Sequence, residues 1–126
     1  MTSILFLDHA SAIGGAQRSL LLLLKHLDKQ RWSPHLGCAP GSLEAHAQAA
    51  GISTHPMRLP RLRRSPRFPL AWLAGARAIA RLAHQIQADL LVANTVRASF
   101  YCTLASHLSH VPFVWQSRYH VPVIFF

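Results

Sequence analysis

One stretch limits the folds open to this chain more than any other. Between Ile4 and Leu24 an apolar run, Ile4-Leu5-Phe6-Leu7, passes through a loop over residues 8–13 to Gly14-Gly15 and into a leucine-rich segment. A buried strand feeding a glycine turn and then a helix is the unit from which parallel α/β sheets are built, and its helix start gathers unpaired backbone N–H groups at one point. Leu20, Leu23, Leu24 and Leu27 fall at i, i+3, i+4 and i+7, so the segment from Ala16 to about Lys29 reads as a helix. Leu21 and Leu22 widen its apolar face, which predicts cover on more than one side.

The rest of the chain repeats the unit. Residues 33–39 read as a second strand and Pro40-Gly41 as a turn. Ser42 suits the N-cap of a helix over 43–50, with Gly51 as its stop. Residues 52–57 form a third strand, held short or to an edge by Pro56. Residues 58–69 hold five arginines and three prolines and read as an exposed loop. A helix from Leu70 to about Gln87 follows, turning Leu73, Ala76, Ile79, Ala80 and Ala83 to the sheet. Residues 89–94 are continuously apolar after Asp89, as in a parallel strand buried on both faces. A helix over 96–109 and a fifth strand over 111–116 complete the alternation. No internal repeat is present. The pattern predicts an α/β, Rossmann-like parallel sheet with helices on both faces, in strand order 3-2-1-4-5. Ligands then bind between strands one and four, at their carboxyl ends, where the loops carrying Gly14-Gly15 and Asn94-Thr95 meet.

At 126 residues the chain supports one domain, and an apolar share of 51% against 13% charged excludes disorder. Thirteen basic residues against four acidic ones give a net charge of +9. That excess favours phosphates, nucleic acid or an acidic membrane face, unless another part of the protein balances it. The arginine-rich loop lacks the aromatic interleaving of single-strand nucleic-acid binders, so no nucleic-acid partner is expected. The same loop could instead touch an anionic membrane surface or an acceptor's phosphate. Cys38 and Cys102 make neither a metal cluster nor a disulfide framework and read as packed thiols of a reducing compartment. No apolar run reaches the roughly 18 residues of a membrane span, and the basic start of a signal peptide is absent.

Several residues could carry chemistry. Gly14-Gly15 admits a ligand close to the backbone, or is a plain strand-to-helix turn; no G-x-G-x-x-G and no Walker loop is present. Asp8 is either a base or ribose ligand, or a carboxylate capping the loop, with His9 beside it. No second carboxylate joins Asp8, which argues against a two-carboxylate hydrolase and a phosphoacceptor receiver domain. Asn94 would point outward to a hydroxylated substrate while Thr95 caps the next helix. Beyond strand five, Arg118 could pair with a phosphate or carboxylate and His120 could transfer a proton, or both lie in a solvated loop. His107-x-x-His110 has no third ligand, and His26, His35, His46, His55 and His84 look scattered, so no metal is expected.

A family is visible in these residues. Ile4-Leu5-Phe6-Leu7, Gly14-Gly15-Ala16-Gln17-Arg18-Ser19-Leu20, Leu90-Leu91-Val92-Ala93-Asn94-Thr95 and Val111-Pro112-Phe113-Val114-Trp115 with Arg118 together resemble a family 4 glycosyltransferase, over nearly the whole chain. The resemblance implies the N-terminal, acceptor-side half of a GT-B fold, incomplete here, with the C-terminal donor-binding domain outside the sequence. It places Gly14 and Gly15 near the donor phosphates and Asn94 and Thr95 at the acceptor or sugar; His120, from the reading of its own loop, is a further candidate acceptor contact. It implies a nucleotide sugar as co-substrate, no metal cofactor, and transfer with retention, the leaving diphosphate being stabilised electrostatically. Two departures matter. Relatives often carry Glu where this chain has Gln17, and a histidine and an acid where it has Gln116 and Tyr119. The second shifts weight onto Arg118 as the catalytic anion ligand.

Two readings follow. The first is the acceptor-side domain of a retaining, hexosyl-type glycosyltransferase of cell-envelope polysaccharide synthesis. It would be inactive alone and cytoplasmic, at the inner membrane face, and would take a glycan or lipid-linked acceptor. The second is a non-catalytic Rossmann-like module that binds a phosphorylated ligand or an anionic membrane.

Overall fold

The computed structural model describes residues 2–62 and 68–116. Among the described residues nine elements alternate: β1 (Thr2–Leu7), α1 (Gly15–His26), β2 (Trp32–Cys38), α2 (Ser42–Ala49), β3 (Ser53–Pro56), α3 (Phe68–Gln85), β4 (Leu90–Ala93), α4 (Val96–Ser109) and β5 (Phe113–Trp115). All neighbouring strands pair in parallel, in the order β3-β2-β1-β4-β5, as the alternation and right-handed crossovers require. Central β1 is buried from Ser3 onward, with Phe6 in register with Leu36 on one side and Val92 on the other. Its residues alternate between two cores. Leu5 and Leu7 pack with Ile79, Tyr101 and Cys102 under α3 and α4. Ile4 and Phe6 pack with Leu20, Leu24 and Leu43 under α1 and α2.

The element ends depart from the pattern in instructive ways. The α1 face is one broad stripe: Leu20 and Leu24 are fully buried, but Leu22 is 60% exposed and Leu27 lies just outside the helix. The N-cap of α2 is Gly41, not Ser42; a φ of +156° there, with Ser11 O only 2.6 Å from where a Cβ would sit, leaves room for glycine alone. Gly51 (φ +81°) ends α2 as expected, with Ile52 N donating to Ala47 O and Gly51 N to Gln48 O. Helix α3 starts at Phe68, two residues earlier than the pattern suggests; Gly75 and Leu82 join its buried face while Leu73 is only half-buried. The stretch after β3 is anchored rather than loose. Met57 and Leu59 are buried, and Tyr101 Oη donates to Pro60 O. Residues 63–67 of the arginine-rich loop lie outside the described residues.

Both cysteines are buried and free, and burial pushes each thiol up to about 12, which suits the packed-thiol reading. His35 and His55, which look scattered in sequence, meet on neighbouring strands: His35 Nδ1 lies 3.1 Å from His55 Nε2 with the rings stacked. Burial lowers the pKa of both, and the His55 charge lowers that of His35 further. A lowered folded-state value means the unfolded chain binds more protons below about pH 6.5, so stability is full above that pH and is lost as the pH falls. Thermal melts are therefore expected to show a lower Tm at pH 5 than at pH 7.5. A His35→Asn/His55→Asn variant should flatten that slope, and an unchanged slope would remove the pair as its cause.

Candidate functional site

The crevice forms where β1 and β4 part, and a buried polar knot closes its floor. Asp8, immediately after β1, is 0% exposed, and so is Asn94, immediately after β4. Asn94 Nδ2 donates to Asp8 Oδ2 at 2.8 Å; Gln17 Nε2 donates to both carboxylate oxygens, at 3.0 and 3.2 Å; Ala10 N donates to Oδ1 at 2.8 Å. A buried carboxylate is tolerated only when so surrounded. Asp8 is thus the loop-capping carboxylate of the two readings open in sequence. Asn94 faces inward, against the outward expectation, and a second contact to Ala16 O at 3.3 Å ties the β4 end to the start of α1. The inward turn follows from Asp8, whose carboxylate needs donors that, among the described residues, Asn94 and Gln17 supply from side chains.

The glycine turn is set by the same knot. Gln17, whose amide feeds Asp8, accepts from Gly14 N at 3.0 Å through Oε1, at the capping-box spacing. A Cβ on Gly14 would lie 3.0 Å from that oxygen, so close approach favours glycine there. At Gly15 a Cβ would meet nothing within 4 Å, so the turn opens to solvent beside first-turn amides that have no helical acceptor. The loop carrying Gly14-Gly15 and the loop carrying Asn94-Thr95 meet at the switch point through Asn94 and Ala16 O, as the topology requires. Thr95 caps α4, accepting from Ala98 N at 3.2 Å, and its hydroxyl lies 2.9 Å from His9 Nδ1. Burial, and next the Arg97 charge, lower the pKa of His9; Asp8 opposes them and Arg61 adds to them. The imidazole is therefore held toward its neutral form, able to accept a proton or a hydrogen bond.

Beside this floor lies a cavity of about 430 Å³, of ligand size. His9, Thr95 and Arg97 form one wall, Arg61 and Leu62 another. Phe68, Trp72, Val96 and Phe100 supply an apolar side built from the first turns of α3 and α4. Phe68 stacks on Trp72 at 6.1 Å, and Trp72 Nε1 donates to Phe100 O at 2.8 Å, locking the wall. Sequence reasoning flagged the loop containing Arg61 but missed Arg97 and the aromatic wall; the i, i+4 spacing of Phe68 and Trp72 is the one signal that could have pointed to it. Arg118 and His120 lie outside the described residues. Among the described residues no cluster of three potential metal ligands occurs; His110 is the left-handed C-cap of α4 rather than a second ligand on its face.

A sequence model described as Glycosyltransferase Family 4 matches residues 13–123. No curated protein matches the chain. Among solved structures, Anabaena HepE in complex with UDP-glucose is similar with a TM-score of 0.70 and 25% identity, over 91% of this chain and 29% of its own. A glycosyltransferase from Rickettsia africae gives a TM-score of 0.75 at 20% identity, over 96% of this chain and 31% of its own. Acinetobacter baumannii MurG gives 0.70 at 16%, over 91% and 34%. The chain thus spans about a third or less of the length of each of these. The likeness fits the N-terminal domain of a GT-B glycosyltransferase, the fold expected from sequence.

Proposed function

The chain belongs to glycosyltransferase family 4, and from that premise we propose that it is the acceptor-side module of a retaining hexosyltransferase with a UDP-sugar donor. HepE, at 25% identity, is described as bound to UDP-glucose, which supports the donor class. The observation that carries the acceptor side is the cavity at the switch point, apolar and aromatic on one side with two arginines at its edge. That lining suits an amphiphilic anion: an apolar portion against Phe68, Trp72 and Phe100, and a phosphate on Arg61 and Arg97. The lipid-linked glycan expected from the basic loop has this chemistry.

In this reading the open amides at Gly15 face the donor phosphates and stabilise the charge that develops as the diphosphate leaves. His9 accepts a hydrogen bond from the acceptor hydroxyl. Arg118 serves as a further anion ligand and His120 as an acceptor contact. Asn94 acts through Asp8, holding the two loops in place, and Thr95 acts through His9. Most of the donor site belongs to a second domain, so the 126-residue chain alone should show no turnover of UDP-sugars.

Titration calorimetry with octyl phosphate, below its micelle concentration, tests the cavity. Binding to the 126-residue chain is expected, weakened about tenfold by Arg61→Ala or Arg97→Ala, as for loss of one charge-assisted hydrogen bond. Affinity indifferent to both substitutions would overturn the assignment.

A further inference from the structure

Two histidines meet at the edge of the sheet, apart from the crevice. His35 on β2 lies opposite Ser53, and His55 on β3 lies opposite Gly37, so the two are offset by two positions in register. An even offset puts both side chains on one face. β3 is an end strand of four residues and pairs with β2 alone among the described strands. Both histidines are half-buried, and neither lines the crevice cavity. Gly37 puts no side chain beside them, and Leu7, Met57 and Leu82 close the space over it. The ring nitrogens face each other, His35 Nδ1 3.1 Å from His55 Nε2, with ring centroids 5.3 Å apart and planes 28° from parallel. Burial holds both rings toward the neutral form, in which a ring nitrogen keeps a lone pair for a ligand.

We propose that His35 Nδ1 and His55 Nε2 together bind one divalent transition-metal ion of the zinc, nickel and copper group, clipping the edge strand β3 to β2. Two nitrogens each about 2.05 Å from one ion, at an angle between a right angle and the tetrahedral one, lie about 2.9–3.4 Å apart, and the observed 3.1 Å falls in that range. The N–H···N bond between the rings is the same arrangement with a proton in the ion's place. A modest turn of each ring about its broad χ2 torsion aims both lone pairs at one point. The displaced proton moves by exchange with water to the far nitrogen of its own ring, so both ligands stay neutral. Whichever ring gives it up, His35 then carries its proton on Nε2. Ser33 Oγ lies 3.5 Å from that nitrogen, as the outer partner that orients a ligating imidazole. No third His, Cys, Asp or Glu joins the pair among the described residues, so water completes the shell. Imidazole nitrogens suit zinc, nickel and copper, whereas magnesium and calcium want oxygen ligands. The ion adds a cross-strand tie where the sheet ends in a short strand.

Titration calorimetry and thermal melts of the untagged 126-residue chain with ZnCl2 test the site. One ion should bind per chain, and Zn2+ at about ten times its Kd should raise the Tm by about 5 °C. MgCl2 at the same concentration should leave the Tm unchanged. His35→Asn and His55→Asn should each weaken Zn2+ binding at least about tenfold, the least that loss of an outer partner of a metal ligand costs. His84→Asn, at an exposed histidine of α3, should change nothing. Circular dichroism melts without metal establish that each variant is folded. NMR gives a reading that needs no substitution: substoichiometric Cu2+ should broaden the imidazole signals of His35 and His55 before those of the other histidines. No rise in Tm with Zn2+, an affinity unchanged in His35→Asn/His55→Asn, an equal loss from His84→Asn, or simultaneous broadening of all the histidines would each overturn the proposal.

Discussion

Replacing Asp8 by asparagine is expected to destabilise the domain by about 3 kcal/mol, although the change is nearly isosteric. Four N–H···O contacts converge on the carboxylate, from Ala10, Gln17 and Asn94, and the side chain has no access to water. An amide in its place must turn an NH2 toward either Ala10 N or Asn94 Nδ2, both donors, and weakens every bond it keeps. Urea unfolding at constant m-value measures the loss. A loss under about 1 kcal/mol would show that the knot is not held by charge-assisted bonds. Gln17→Glu gives an independent reading of the same knot. It sets a second carboxylate where an amide now donates at 3.0 Å, and such a pair ionises fully only at a penalty. A raised folded-state pKa means that stability is retained in acid and lost as the pH rises. The deficit of Gln17→Glu relative to the parent should therefore grow from pH 4.5 to pH 7, opposite in sign to the histidine effect.

The fold was legible because each element announces itself locally. Apolar runs of four to six residues alternate with helical spacing, and once all strands are taken as parallel, chirality orders them. The crevice followed from that order, before any side chain was placed. What stayed hidden depends on pairs far apart in sequence. Asn94 looked free to face a ligand because the demand of Asp8, 86 positions away, cannot be seen from Asn94 alone. The clue lay at Gln17, three residues past Gly14, a capping-box spacing that turns its oxygen back and leaves its NH2 for Asp8. An amide at that position can bridge an N–H donor and a carboxylate, which a second carboxylate cannot do without a proton. His35 and His55 are paired by a strand register set through the whole β2–β3 ladder. The aromatic wall needs the packing of α3 on α4, which no single helix pattern reveals.

That packing sets the second large effect, the substitution Gly75→Ala. In an exposed helix this change stabilises by up to about 1 kcal/mol. Here the added Cβ would lie 2.4 and 2.5 Å from Cε1 and Cδ1 of Tyr101, a fully buried ring of α4. The ring cannot swing aside cheaply, because its hydroxyl donates to Pro60 O and its edges fill the core under α3 and α4. Either the helices separate or Tyr101 leaves its site, and we expect a net loss of about 2–4 kcal/mol, at the upper end of overpacking costs. Tyr101→Ala alone should cost about 3–5 kcal/mol by opening a cavity. Once the ring is gone the alanine methyl has room, so the double variant should be more stable than the sum of the two losses by at least about 1.5 kcal/mol. Additive losses would mean that Gly75 and Tyr101 do not contend for one space. Because Tyr101 also holds Pro60, the residue before Arg61, Gly75→Ala should weaken octyl phosphate binding under conditions where the protein remains folded. That outcome would tie the helix packing to the cation at the cavity wall through one hydroxyl.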